Sequence, residues 1–177
     1  DFFGSIVSIY KYENRTYKSN KDLKSKIYYR IDKFKKNFSN SLNSDEIKFW
    51  KSVENLNTSG YFVTTYSSSE PTLIFGRKPY IINANYFDLI SYHPYTVDET
   101  KIILENIYEL NFTKPPIKYW PEIRDEWIIK TFEKRSYKEW LFLSKKYNLS
   151  GVIVPSNWRL NINEKINSDK YILYKLQ

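Results

Sequence analysis

Toward the C-terminus the apolar positions change period. Trp140, Leu143 and Tyr147 recur at helical spacing behind Ser136-Tyr-Lys-Glu139. Those four residues form a capping box, in which a hydroxyl and a carboxylate each accept from a backbone N–H that the first helical turn leaves open. The helix runs out at Asn148-Leu-Ser-Gly151, the apolar run Val152-Ile-Val-Pro155 follows, and Tyr171-Ile-Leu-Tyr-Lys-Leu176 comes last. A helix that stops at a turn and feeds a short apolar strand is half of a β-α-β unit.

The same reading extends upstream. Leu23, Ile27, Ile31, Phe34 and Phe38 predict a helix over 20–38, with most of its lysines off that stripe. Asn43-Ser-Asp-Glu46 opens another helix, with Ile47, Trp50 and Val53 on one face and a glycine stop at Gly60. Tyr61–Tyr66 is rich in aromatic and β-branched residues and predicts a strand, and Ser67–Pro71 a loop. Thr72–Phe75 fits a strand or one helical turn, and Tyr80–Ala84 predicts a second strand. Thr96-Val-Asp-Glu99 is a further capping box, before a helix that turns Ile103, Leu104, Ile107 and Tyr108 inward. Trp127, Ile128 and Phe132 suggest a short helix around 123–132. Strands separated by helices predict an α/β fold: a small, mostly parallel sheet flanked by helices, with N-terminal helices and an antiparallel C-terminal edge strand at 171–176. The expected division is a basic amphipathic segment over 1–42 and an α/β domain over 43–177.

Composition narrows the chemistry. The 177 residues include 17 Tyr, 11 Phe and 5 Trp, an aromatic share that argues against an intrinsically disordered chain. There is no Cys, which excludes disulfides, thiolate metal sites and a Cys nucleophile, and the single His93 excludes the common His-rich zinc sites. No run approaches the ~20 apolar residues of a membrane span. Met is absent even from position 1, which leads us to expect a processed chain or one cut from something longer. The apolar start at Phe2-Phe3 is too short to span a membrane but is compatible with following a span.

The net charge of +8 is concentrated early: residues 1–57 hold 12 basic and 7 acidic side chains, residues 58–177 hold 16 and 13. Solvated lysine in a chain biased toward Lys, Asn, Ile and Tyr accounts for this, as does attraction to anionic lipid headgroups; nucleic acid is the least favoured partner.

Among candidate sites, four glycines offer neither a P-loop nor a dinucleotide fingerprint. The adjacent pairs Asp98/Glu99 and Asp125/Glu126 point in different directions on a helix and suit its positive N-terminal end better than acid–base catalysis. His93, in Ser91-Tyr-His-Pro-Tyr95, is either a general base or a structural side chain in an aromatic turn. Arg77 and Arg135 fit internal carboxylate pairs or a phosphate. Ligands of open α/β sheets bind beyond the carboxyl ends of the strands. Thr65, Asn85, Asp88, Tyr92, Asn157 and Trp158 fall at those ends, where hydroxyls, amides and aromatic faces make a sugar-binding rim. Ordinary loop composition in an Asn/Ser/Tyr-rich chain is the competing account. Five N-x-Ser/Thr sequons, at Asn14, Asn37, Asn57, Asn111 and Asn148, are expected by chance in so Asn-rich a chain. No cofactor or metal is expected.

Taken in order over residues 45–176, Phe49-Trp50, Thr58-Ser-Gly-Tyr-Phe-Val-Thr-Thr65, Gly76-Arg-Lys-Pro-Tyr-Ile-Ile82, Glu139-Trp140 and Tyr147-Asn-Leu-Ser-Gly-Val-Ile-Val-Pro155 carry a resemblance. They resemble the soluble C-terminal domain of multispanning bacterial membrane proteins similar to GT-C-type glycosyltransferases. In such proteins the catalytic carboxylates usually sit in loops between membrane helices. The resemblance therefore implies a non-catalytic, extracytoplasmic accessory domain whose partners are an upstream transmembrane region of the same polypeptide and a glycan, lipid-linked donor or anionic headgroup. The alternatives are a free-standing α/β enzyme using Asp88 and His93, and a nucleic-acid binder using the basic segment at 20–38.

Overall fold

Helix α1, Ser44–Glu54, begins where its capping box predicts. In the computed structural model of the chain, Asn43 is extended, its side-chain oxygen accepts from Glu46 N–H at 2.8 Å, and Glu46 accepts from Asn43 N–H at 3.1 Å. The chain divides into two units, Asp1–Ser41 and Leu42–Gln177. The structure describes residues 42–82, 96–111, 113–114 and 124–176, all in the second unit. The expected helix at 20–38 lies outside the described residues.

Helix α1 ends at Asn55, not at Gly60. Gly60 is needed for a different reason: a Cβ there would lie 2.5 Å from Ser150 Oγ, the same oxygen that accepts from Gly60 N–H at 3.1 Å. Strand β1, Tyr61–Thr64, follows and is two residues shorter than its apolar run. Helix α2, Ser69–Ile74, occupies part of the segment expected to be a loop. Pro71 is tolerated there because it sits in the first turn, where an N–H would have no helical acceptor.

Helix α3, Val97–Ile103, runs on as a π-helical turn, Leu104–Tyr108, which ends at Glu109 in left-handed backbone. Leu104, Ile107 and Tyr108 point inward as their spacing predicts. The Thr96 capping box does not form: at φ −95, ψ 0 the residue lacks the extended backbone that aims a cap oxygen at the first turn, and its side chain makes no cap hydrogen bond. Helix α4 is Asp125–Lys134 and α5 is Tyr137–Tyr147, the latter with the full Ser136/Glu139 capping box. Asn148 ends α5 in left-handed backbone at φ 51, so the chain enters strand β2, Leu149–Pro155, with no linker. Strands β3, Lys165–Asn167, and β4, Tyr171–Lys175, complete the fold.

The fold is α/β, and its pairing corrects one expectation. The strand order is β1-β2-β4-β3, with β1 parallel to β2 and the other two ladders antiparallel, so the sheet is mixed rather than mostly parallel. Strand β4 is antiparallel as expected but interior, because the three-residue β3 lies outside it. Three residues without a hydrophobic run leave no period to read. The expected strand at 80–84 contributes one parallel bridge, Tyr80 to Phe62, beside β1. Phe62 N–H donates to Pro79 O at 2.8 Å and Ile81 N–H to Phe62 O at 2.9 Å. Residues 83 and 84 lie outside the described residues.

Side-chain alternation divides the sheet into two faces, each covered by helix. Phe62, Ile153 and Leu173 meet Phe49, Trp50 and Val53 of α1. Val63, Val152, Val154, Ile172 and Tyr174 meet the π-helical turn, α4 and α5 through Leu104, Ile107, Tyr108, Ile128, Phe132, Trp140 and Leu143. Trp50 and Trp140 are core anchors, 2% and 0% exposed. Both candidate arginines make internal pairs. Arg77 meets Glu54 at 2.9 Å. Arg135 is buried, donates to Ile107 O at 2.8 Å and Glu109 at 3.2 Å, and lies 4.7 Å from the Trp140 ring centroid. It thereby supplies donors to the carbonyls that the π-helical turn leaves open. Burial pulls its guanidinium below the ordinary value and Glu109 opposes that shift.

Candidate functional site: the carboxyl edge of the parallel strands

The only parallel ladder among the named strands of the described residues ends at Thr64 and Ile153, and polar side chains gather beyond it. Their geometry follows from a tight turn. Ser68 Oγ accepts from Thr65 N–H at 2.9 Å, and Ser68 and Ser69 N–H both reach Thr65 O, at 3.2 and 3.0 Å. This turn carries β1 into α2 and brings five hydroxyls together.

Each hydroxyl has a single proton, so the donors can be assigned. Ser67 donates to Asp125 Oδ2 at 2.9 Å, Ser68 to Ile153 O at 2.8 Å and Ser69 to Thr65 O at 2.7 Å. Thr64 Oγ1, 3.0 Å from Ser69 Oγ, must then donate to it. Thr65 Oγ1 lies 3.1 Å from Ser68 Oγ and 3.2 Å from Ser67 Oγ, whose protons are already engaged, so it donates to one of them. All five protons serve the turn. Thr64, Thr65, Ser68 and Ser69 are buried, and only Ser67 is exposed.

Three remote segments reach the same turn. Asp125, the first residue of α4, accepts from Tyr66 N–H at 2.8 Å as well as from Ser67. Burial pushes its carboxyl above the ordinary range, while these bonds pull the other way. The Arg124 guanidinium lies 5.0 Å from the Tyr66 ring centroid. Tyr108 donates from the π-helical turn to Thr64 O at 3.0 Å, and burial raises its phenol well above the usual range. Tyr171 donates to Ser67 O at 3.1 Å, and its phenol is raised by burial first and then by Glu46 and Asp125.

The candidate rim separates into three groups. Thr65 is wholly buried, with its hydroxyl inside the turn. Trp158, 3% exposed, is turned into the core with its ring edge-on to Phe132 at 5.8 Å. Asn157 is exposed at the tip of the turn after β2. Asn85, Asp88, Tyr92 and His93 lie outside the described residues. Asp98 and Glu99 sit in the first turn of α3, as the dipole argument expects. Asp125, Tyr108 and Tyr171 are the edge residues that sequence reasoning missed as such. The contact between Asp125 and Tyr66 spans 59 positions, and nothing local signals it.

Among the described residues, no three His, Cys, Asp or Glu side chains converge as a metal site would require. No described helix is long and apolar enough to cross a membrane. Comparison with protein-family models, curated proteins and solved structures found no match for this chain.

Proposed function

We propose that this chain is a non-catalytic, extracytoplasmic domain of a polytopic membrane protein, possessing an α/β fold and serving an accessory role beside a glycosyltransferase-like membrane region. One observation supports the non-catalytic part most directly: the five hydroxyl protons of Thr64, Thr65, Ser67, Ser68 and Ser69 are engaged in holding the β1–α2 turn at this edge. Catalysis there would require a group free to exchange a proton or a bond with substrate. The motif order over residues 45–176 supports the membrane context. Contact with a glycan or a lipid-linked donor would then involve Asn157 and the neighbouring loops.

Two measurements test this reading. The purified chain is assayed for glycosyl transfer and glycoside hydrolysis, beside Asp88→Ala and His93→Ala. No turnover is expected. Turnover that either substitution abolishes would replace the accessory role with the enzyme reading. The gene around the codon for Asp1 is then read for upstream apolar segments of about 20 residues, which the membrane context requires.

A further inference from the structure

Helix α5 turns Trp140, Leu143 and Ser144 into the core, and the opposite stripe is Lys138, Phe142 and Lys145, spaced i, i+4, i+7. Phe142 is 64% exposed, the most exposed large hydrophobic side chain among those described. A lone exposed apolar residue needs no explanation. This one has three exposed lysines around it, Lys138, Lys145 and Lys146. Lys146 makes a long contact to Asn106 Oδ1 at 3.4 Å, and Lys138 and Lys145 form no ion pair among the described residues. The one carboxylate on the helix, Glu139, is folded back on Ser136, accepting from its N–H and its hydroxyl at 2.7 Å each.

We infer that the outer face of α5 docks on an anionic phospholipid surface, with Phe142 entering the headgroup layer and Lys138, Lys145 and Lys146 meeting the phosphates around it. An aromatic ring among cations on the exposed face of a helix matches the two forces that hold peripheral helices at a bilayer: apolar burial at the acyl boundary and attraction to anionic lipid. The α5 capping box and the burial of Trp140 at its centre hold the stripe on a rigid element. The inference rests on the proposed membrane context and adds to it the surface that faces the lipid.

The absence of cysteine makes a site-specific test direct. The full chain carrying Phe142→Cys, labelled with an environment-sensitive fluorophore, is mixed with phosphatidylcholine vesicles with and without phosphatidylglycerol. Ser52→Cys, exposed on α1 across the sheet, is the labelled control. The label at 142 should shift to the blue with the anionic vesicles alone, and the label at 52 should stay unchanged. Lys138→Gln and Lys145→Gln should each weaken the response about fivefold. Vesicle binding without a shift at 142 would overturn the inference and transfer the contact to another surface, such as the basic N-terminal residues. A shift produced by single-stranded oligonucleotide in place of lipid, or by raising protein concentration without lipid, would overturn it equally. The accessory role fails on turnover instead, so the two failures are distinguishable.

Discussion

Replacing Ser68 with Ala removes one oxygen from the centre of the β1–α2 turn and leaves no cavity of consequence. That oxygen accepts from Thr65 N–H at 2.9 Å and donates to Ile153 O at 2.8 Å, in a residue that is 0% exposed. The buried Thr65 N–H loses its acceptor, which costs about 1–3 kcal/mol. The bond to the Ile153 carbonyl adds about 0.5–1.5 kcal/mol. The expected loss is therefore about 2–4 kcal/mol. Ser67→Ala is the control: its hydroxyl is exposed, water can replace it on Asp125, and the loss should stay below about 1 kcal/mol. Urea unfolding followed by tryptophan fluorescence measures both. With a slope of about 2 kcal/mol/M, the Ser68 variant should lose about 1–2 M of midpoint at unchanged slope. A Ser68→Ala loss of stability below about 0.5 kcal/mol would refute the reasoning. The edge hydroxyls would then be free to turn toward a ligand, and the sugar-binding rim expected from the sequence would become the leading site.

Gly151→Ala should cost about 1–3 kcal/mol or more in a thermal melt, because its Cβ would lie 2.8 Å from Tyr174 O, a backbone atom that cannot yield, and 2.8 Å from Leu173 Cδ1. Trp140→Ala should lose about 3–5 kcal/mol in chemical denaturation. Trp140→Phe should lose distinctly less, since it also removes a buried indole N–H that has no hydrogen-bond partner; equal losses would contradict that account. Asp125→Asn should change the pH dependence of stability. A carboxyl raised in the folded state binds its proton more tightly there than in the unfolded chain, so wild type gains stability relative to Asn as pH falls from the raised value through the ordinary carboxylate range. Denaturant midpoints across that window check the sign, and a wild-type advantage that instead grows with rising pH would overturn it.

Much of the fold was legible because its signals are local. The Asn43 and Ser136 boxes each needed four residues, and both form as read. The inward stripe of Leu104, Ile107 and Tyr108 and the apolar run at 152–155 were equally plain in the sequence. What escaped depends on tertiary partners. Strand β3 is three residues long with one half-buried side chain, Ile166, so only pairing with β4 defines it. The β1–α2 segment shows serine and proline, which suggest a loop, yet backbone N–H bonds to the Thr65, Ser68 and Pro71 carbonyls shape it into a turn and a short helix. The candidate rim was legible as composition but not as orientation. Residue type places Thr65 and Trp158 at strand ends, and only packing decides that both turn inward.

The edge where α/β enzymes place their reacting groups is the edge where this chain must secure a long crossover. Strands β1 and β2 are neighbours in the sheet, yet the contact between Ser68 and Ile153 closes 85 positions of chain. Tyr108 reaches the same turn across 44 positions, Asp125 across 59 and Tyr171 across 104. Closing such spans has an entropic cost that a few directional bonds at the closing point must offset. Thr64 through Ser68 are those bonds, and turning any of them toward a ligand would loosen several elements at once. Recognition is better placed on a surface whose loss leaves the fold intact. On the outer face of α5, Phe142, Lys138 and Lys145 are exposed and point away from the core beneath them. A contact made there can be strong, weak or absent without disturbing the sheet, whereas a contact made at the strand ends could not.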